Sequence, residues 1–310
     1  MTRVVIVIVT FNSASQIGRC LDALANLDGI EIVVVDNGST DSTTAVVADR
    51  HIPLIANRHN AGFAAAVNQG IRATSAPLVL LLNPDAHLER GLDHLAAEFR
   101  HPSTGAAGGL LTDSDGRPQT GFMARNLPSP SALIFEVLGI NALWPRNPVN
   151  WHYRCLGKNP VTPALVEQPA GAFLMFPRTV WERLEGFDER FWPVWFEDVD
   201  FCTKIKLAGL NVHYNPNAVA RHAGAHSIST LPLEIRERYW YGSLLEYASK
   251  YYHPIAYRVV CLAVVSGAAF RAVRGYRRYG RKAFAVYGAV CRLAAGRLFG
   301  PGRGSGSTVV

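Results

Sequence analysis

Ile30-Glu31-Ile32-Val33-Val34-Val35-Asp36-Asn37-Gly38-Ser39-Thr40-Asp41 is the stretch that decides the fold. Its first six residues are mostly β-branched and read as a buried strand. The run stops on a carboxylate, turns through Gly38 and passes into side chains suited to capping a helix. A strand that ends in polar groups and leads directly into a helix is the unit of an open α/β sheet. In such sheets ligands sit beyond the carboxyl ends of the strands.

The same pattern recurs on both sides. Val4–Val9 is a second β-branched run, ending at Thr10-Phe11-Asn12. Ser15–Leu24 forms a helix with Ile17, Leu21 and Leu24 on one face. Thr40–Arg50 is helical, Pro53–Ala56 is a short strand, and Ala64–Thr74 is a third helix. Leu78–Leu82 is another apolar strand, closed by Asn83-Pro84-Asp85. This β-α-β-α order predicts an α/β fold with a mostly parallel central sheet and helices on both faces.

Downstream the rhythm breaks. Pro128 to Pro169 is rich in Pro, Asn and Trp, and Trp144–Pro163 reads as a long loop. A strand at Gly171–Phe176, a helix at Arg178–Leu184 and a helix at Asp198–Leu207 follow, with Gly209 placed for the C-cap of the last. Val212–Asn215 and Ala218–Arg221 read as two short extended pieces. From Leu231 the pattern is helical, and the Gly/Ser-rich end after Gly300 reads as a disordered tail.

With 310 residues the chain can bury roughly 75% of its unfolded surface. Its net charge of +7 is unevenly placed. Tyr247 to Val310 holds eleven Lys/Arg and no Asp/Glu, which leaves 20 basic against 24 acidic residues before it. A segregated basic end with apolar stretches fits an anionic membrane surface, and no nucleic-acid motif accompanies it. The five scattered cysteines contain no C-x-x-C, which argues for reduced thiols and against a zinc site. No signal peptide is read at the N-terminus. Val259 to Phe270 is apolar but falls short of the ~20 residues that span a bilayer.

Several polar groups collect at strand ends or near rings. Asp36 can accept from a base N–H or a ribose hydroxyl, and Ser39 can cap the next helix or bond a ligand. In Asn60-Ala61-Gly62-Phe63 the glycine permits close backbone approach, and the following helix N-terminus favours phosphate. Asp85 reads either as a turn residue or as a carboxylate that can hold a divalent cation, and His222 either as a structural side chain or as a group that completes the metal shell. Glu197-Asp198-Val199-Asp200 follows the aromatic run Phe191-Trp192-Pro193-Val194-Trp195-Phe196. Apolar surroundings raise a carboxylate's pKa, so a proton acceptor is sought here.

These pieces, in order, resemble the family 2 glycosyltransferases with the GT-A fold over roughly Val4 to Ser227. The matching motifs are Ile8-Val9-Thr10-Phe11-Asn12, Val35 to Asp41, Asn60-Ala61-Gly62-Phe63, Asn83-Pro84-Asp85, Gly171-Ala172-Phe173-Leu174-Met175, Gly186-Phe187-Asp188-Glu189, Glu197-Asp198-Val199-Asp200, and His222 with Ser227. Asn-Pro-Asp and Trp144-Pro145-Arg146-Asn147-Pro148 are most similar to bacterial rhamnosyltransferases.

The resemblance implies roles. Thr10, Asn12 and Asp36 line the nucleotide's base and ribose, with Asn37 and Ser39 in the same set. Asn60, Gly62, Phe63 and Asn68 lie near the ribose-diphosphate, and Asn83 joins them. Asp85 and His222 hold Mg²⁺ or Mn²⁺. Glu197 and Asp198 match the family's acidic pair, Asp198 being the first choice for general base and Glu197 the second. Two departures stand out: position 83 is Asn where the metal motif is usually D-x-D, and the chain is one residue longer around Pro193.

The implied reaction is inverting transfer of a sugar, L-rhamnose from dTDP-rhamnose in first place and another sugar from a UDP donor in second. The acceptor is a glycan or a polyprenyl-linked saccharide in cell-surface polysaccharide synthesis. The implied location is cytoplasmic, peripheral on the inner face of the membrane. The expected layout is a catalytic domain over 1–230, with a nucleotide-binding half to about 110 and an acceptor half over 111–230. A basic helical extension over 231–300 and a tail over 301–310 complete it. A sugar nucleotidyltransferase loses support because Thr10-Phe11-Asn12 offers no Gly-rich start. A non-catalytic nucleotide-sugar-binding protein at the membrane is the remaining rival.

Overall fold

β1 (Val4–Thr10) is buried along its whole length. Aliphatic side chains on both of its faces demand cover on both sides, which only an interior strand receives. The computed structural model describes residues 3–224 and 231–299, so Ser227 and the expected tail lie outside the described residues. β1, β2 (Ile30–Asp36), β3 (Leu54–Ala56) and β4 (Leu78–Leu82) form the parallel part of the sheet. α1 (Ala14–Asp22), α2 (Thr43–Ala48) and α3 (Phe63–Arg72) connect them. α3 reaches close to the sheet through Gly70, where an added methyl would stand 2.7 Å from Val7 Cγ1.

The sheet continues with β5 (Ala86–Arg90) and, after α4 (Leu92–Glu98), β6 (Thr104–Thr112). β7 (Ala124–Arg125) is short. α5 (Pro130–Val137) and α6 (Ile140–Leu143) follow, and the stretch expected as a loop over Trp144–Pro163 contains α7 (Pro148–Tyr153). Their starts explain why composition misleads: Pro130 and Pro148 open helices, where the missing N–H costs nothing, and Ser129 caps α5 by accepting from Ala132 N–H at 3.2 Å. Then come β8 (Ala164–Val166), β9 (Gln168–Pro169), β10 (Phe173–Pro177), α8 (Arg178–Arg183), α9 (Glu197–Leu207) and β11 (Asn211–His222).

Among the described residues the main sheet has nine strands in the order β3-β2-β1-β4-β10-β6-β11-β5, with β8 also joined to β11. β10 runs antiparallel between β4 and β6. β11 is one strand, not two pieces. Its register against β6 slips between Asn215 and Val219, and Pro216 sits in that irregularity, where no ladder hydrogen bond is asked of it. β6 is rich in small residues for a steric reason. Gly105 lies under Ile205, Gly108 under Pro169, and Gly109 under the Phe173 ring and the Ala218 carbonyl.

Residues 3–127 and 152–224 cluster into one unit, and residues 128–151 with 231–299 into a second. The segment 128–151, read from sequence as part of the acceptor half, thus groups with the C-terminal helices. That second unit contains α10 (Leu233–Tyr251), α11 (Pro254–Tyr279) and α12 (Arg281–Phe299). α11 buries Val260, Cys261, Ala263, Val264, Gly267, Ala268 and Ala272, and Gly267 lies directly against the Val137 carbonyl of α5.

The apolar run within α11 is longer than the sequence suggested. The helix has 26 residues and an 18-residue window of mean hydropathy 1.6, enough by length and composition to cross a membrane. All five cysteines are free thiols.

Gly109→Ala tests whether β6 needs its small residues. The new methyl would stand 2.6 Å from the Ala218 carbonyl oxygen, which is fixed backbone. Overpacking of this kind costs about 1–3 kcal/mol. The expected result is a melting temperature lower by about 3–10 °C, read by calorimetry.

Candidate active site

The register of β1 on β2 sets Thr10 beside Asp36. Thr10 Oγ1 donates to Asp36 Oδ1 at 2.8 Å, and the Ser39 hydroxyl donates to the same oxygen. Ser39 N–H donates to Asp36 Oδ2 at 2.9 Å. Ser39 Oγ in turn accepts from Asn12 N–H at 2.8 Å, and Asn12 Oδ1 accepts from Thr40 N–H at 2.8 Å. Asn12 adopts φ +49 to close this knot. Asp36 is only 1% exposed and Thr10 is fully buried. Their chemistry is spent on joining two strand ends, while Asn12 and Ser39 remain partly exposed at the rim.

A second knot forms around Asn37. Its Nδ2 donates to Asn60 Oδ1 at 3.0 Å, and its Oδ1 accepts from Ala61 N–H at 3.0 Å. Asn60 Oδ1 also accepts from Gly62 N–H at 2.9 Å. Gly62 has φ +94, and an added Cβ would stand 2.8 Å from Trp192 Cδ1, so only glycine fits. Phe63 N–H, the first donor of α3, is taken by the Pro193 carbonyl at 2.7 Å.

Asn68, expected near the ribose-diphosphate, is built in elsewhere. Its Nδ2 donates to Phe187 O at 2.9 Å and Glu189 Oε1 at 3.0 Å. Its Oδ1 accepts from Trp181 Nε1 and Phe187 N–H, both at 3.0 Å. All four positions of the amide are used. Asn68 braces Gly186-Phe187-Asp188-Glu189 and has no valence left for a ligand.

Asp85 and His222 do meet. His222, the last residue of β11, pairs with Ala86 of β5, which brings Nε2 within 3.4 Å of Asp85 Oδ1. Gln119 fixes the ring. Its Nε2 donates to the His222 carbonyl at 2.7 Å, so its Oε1, 3.0 Å from Nδ1, must be the acceptor. Nδ1 then carries a proton, and Nε2 is the ring atom turned towards the carboxylate. An imidazole nitrogen and a carboxylate oxygen this close are a donor pair that suits Mg²⁺ or Mn²⁺. Among the described residues no group of three or more His, Cys, Asp or Glu could hold a metal. The remaining ligands would have to be water or diphosphate oxygens. Asn83, half-buried before Pro84, supplies no carboxylate; its N–H is held by the Ala172 carbonyl at 3.1 Å.

The acidic cluster separates into unlike members. Trp195 and Phe196 take φ +79 and +70, unfavourable for non-glycine residues by about 1–3 kcal/mol each, and swing the chain into α9. Glu197 is 5% exposed, and its Oε2 accepts no hydrogen bond from a described residue. Burial, with Asp198 and Asp200 beside it, pushes the Glu197 carboxyl well above the usual range. Asp200 is fully buried, 3.6 Å from Lys204 Nζ.

Asp198 is partly exposed. Its Oδ2 accepts from Gly171 N–H at 3.0 Å and Gln168 Nε2 at 3.1 Å, and its Oδ1 from Val199 N–H at 2.8 Å. These three bonds fix the carboxylate in the first turn of α9. Gly171 carries no side chain for a reason: a Cβ there would lie 3.0 Å from that of Asp198.

The structure therefore collects Asn12, Ser39, Asn60, Gly62, Phe63, Asn83, Asp85, His222, Glu197 and Asp198 at one edge of the sheet, beyond the ends of β1, β2 and β4. Thr10, Asp36 and Asn37 form the frame beneath. Sequence reading missed Gln119 and Gln168, the groups that orient His222 and Asp198. Neither has a local signal, because their partners lie 103 and 30 residues away. Phe191 is fully buried, whereas Trp192 is 51% exposed beside Gly62.

The family model for Glycosyl transferase family 2 matches residues 5–162, and the chain belongs to that family. A second model, described as N-terminal domain of galactosyltransferase, matches residues 158–226, which carry Gln168, Gly171, the acids and His222. The N-acetylglucosaminyl-diphospho-decaprenol L-rhamnosyltransferase of Mycobacterium tuberculosis is 32% identical over 249 residues, 73% of this chain and 78% of that one.

Among solved structures, a mannosyltransferase from Pyrobaculum calidifontis in complex with GDP-Man and Mn²⁺ superposes with a TM-score of 0.51 at 21% identity, over 94% of this chain and 80% of that one. S. aureus TarS in complex with UDP-GlcNAc gives 0.54 at 16% identity, over 96% and 80%. The fold is GT-A, and the protein is a glycosyltransferase.

Glu197 makes a stability test. Its raised folded pKa means that the unfolded chain loses this proton first as pH rises from about 4.3. Its stabilising contribution is complete below that value and is lost as pH climbs through the folded value, by up to about 1.4 kcal/mol per pH unit. Glu197→Gln should keep the fold and flatten that part of the curve, measured by urea denaturation upward from about pH 4.

Proposed function

We propose that the chain transfers L-rhamnose from dTDP-rhamnose to a hydroxyl of a polyprenyl-diphosphate-linked saccharide, in the synthesis of a cell-surface polysaccharide, with inversion at the anomeric carbon. The observation that carries the reading is Asp198. It is the partly exposed acid of the cluster, oriented by three N–H donors, on the same sheet edge as Asp85 and His222. Similarity to a rhamnosyltransferase over most of its length supports the donor and the acceptor class.

Asp198 accepts the proton of the acceptor hydroxyl as that oxygen attacks the anomeric carbon. Direct attack from the opposite face inverts the centre and needs no covalent sugar intermediate, so one base suffices. Burial raises the Glu197 carboxyl well above the usual range, which favours its protonated form as a hydrogen-bond donor. Asn12 and Ser39 present polar groups towards the nucleoside, and the start of α3 at Gly62 and Phe63 favours the diphosphate. A Mg²⁺ or Mn²⁺ ion held by Asp85 and His222 would offset charge on the leaving diphosphate. Trp192 offers an exposed ring beside this turn, and the methyl of a deoxysugar suits such a face. A polyprenyl-linked acceptor implies work at the cytoplasmic face of a membrane, as a peripheral protein on anionic lipid.

A second donor class, UDP-linked sugars, is favoured by the TarS likeness in fold alone. Thermal shift with dTDP-rhamnose and UDP-sugars side by side separates the two. A shift with UDP-sugars and none with dTDP-rhamnose rejects the rhamnose assignment.

Asp198→Asn keeps the oxygen that accepts from Gly171 and removes the base. It should lower kcat by about 10²–10⁴ with donor affinity within a few-fold of wild type. Unchanged turnover would reject the base. Asp85→Ala should abolish the dependence of donor binding on divalent cation, followed by calorimetric titration with and without Mn²⁺.

A further inference from the structure

α11 carries an apolar stripe that its own unit leaves bare. Ile255, Val259, Leu262, Phe270 and Val273 are 67%, 44%, 52%, 53% and 66% exposed. Their spacing sets them on one helix face, with exposed Ser266 and Ala269 filling the gap. From Ile255 to Val273 the stripe is about 27 Å long. Tyr276 and, from α12, Phe284 extend it, their rings 5.8 Å apart and both half exposed. Single exposed apolar residues are ordinary; a continuous line of this length marks a contact surface.

Charge identifies what covers it. Residues 254–299 contain nine Arg and Lys and no Asp or Glu. Three are engaged internally. Arg271 donates to the carbonyls of Val137 and Glu136, Lys282 pairs with Glu234, and Arg297 pairs with Glu246. Among the described residues no ion pair takes up Arg258, Arg274, Arg277, Arg278, Arg281 or Arg292. Two copies meeting through this face would crowd these arginines against each other. A surface of anionic lipid satisfies the apolar line and its basic flanks together.

The helix is long enough to span a bilayer, yet its inner face is committed. Within the most apolar window 39% is buried, against α12 and α5. Arg271 is anchored on α5 from the same helix. A helix with one face sealed by protein and one open face lies along an interface; it does not cross alone.

We propose that α11 and the start of α12 form a docking face for anionic membrane, with the helix in the plane of the bilayer. Ile255, Val259, Leu262, Phe270 and Val273 enter the acyl boundary, and Arg274, Arg277, Arg278 and Arg281 meet phosphate headgroups. The face stands on its own geometry; only its purpose, access to a lipid-linked acceptor, rests on the transferase reading.

The test is co-sedimentation of the full chain with vesicles of phosphatidylcholine, with and without phosphatidylglycerol. Binding is expected only with the anionic lipid. Arg274→Gln, Arg277→Gln and Arg278→Gln together should weaken it about 100-fold, and Phe270→Asp with Val273→Asp at least about 10-fold. Alkaline carbonate should strip the protein from the vesicles. Equal binding to both vesicles, no binding to either, or wild-type binding by the variants would overturn the proposal. Resistance to carbonate would mean a spanning helix and also overturn it. So would a dimer that Phe270→Asp makes monomeric while vesicle binding is unchanged. Donor hydrolysis is measured in the same samples. Wild type that binds vesicles but turns over no nucleotide-sugar defeats the transferase reading and leaves the docking face standing.

Discussion

β10 enters the sheet against the direction of β4, and the site follows from that reversal. Because the two strands are antiparallel, the beginning of β10 lies where β4 ends. The Ala172 carbonyl therefore takes the N–H of Asn83, and the preceding residue, Gly171, offers its own N–H to Asp198. The turn that carries Asp85 and the acid that opens α9 are thus tied to consecutive residues. A parallel strand in this position would begin at the far edge of the sheet. The glycines of β6 make the approach close enough, since Gly108 and Gly109 leave room for Pro169 and Phe173.

The nucleotide-side architecture was legible because its causes are local. Leu78–Leu82 has the bounds its apolar run implied, and the other early strands and helices differ by a few residues at their ends. The segment from Pro128 to Pro163 was not legible by the same means. Proline and asparagine suggested a loop over Trp144–Pro163, yet Pro148 begins a helix, with Asn147 buried just before it and Asn150 buried within it. Composition cannot distinguish a proline that ends an element from one that starts it. β11 was cut in two for a related reason, since Pro216 interrupts the pattern without interrupting the strand.

The site was legible as a set of residues and less so as a set of roles. Asp36, Asn37 and Asn68 were noticed because polar groups at strand ends attract attention. What each one touches is decided by segments far along the chain. Asn68 finds its partners at Trp181, Phe187 and Glu189, which no local pattern announces. The acidic cluster gives the opposite case. Three acids within four residues were ranked in sequence only by position, and burial and partners divide them into a glutamate whose carboxyl is raised well above the usual range, an aspartate beside a lysine, and a partly exposed aspartate held by three N–H donors.

The junction at Gly62 has a consequence for how such a protein can be inherited. The first donor of α3 is satisfied by Pro193, and Gly62 is shaped around Trp192. Asn68, one turn further, is satisfied wholly by residues 181–189. The early segment that resembles a self-contained nucleotide module therefore has its central helix finished by chain more than a hundred residues later. Recombination that exchanged the late segment for a foreign one would leave buried donors and an asparagine unmatched, at the energetic cost of each lost bond. New specificities in this chain have to arise by substitution at the rim, in positions such as Trp192, and not by shuffling of halves.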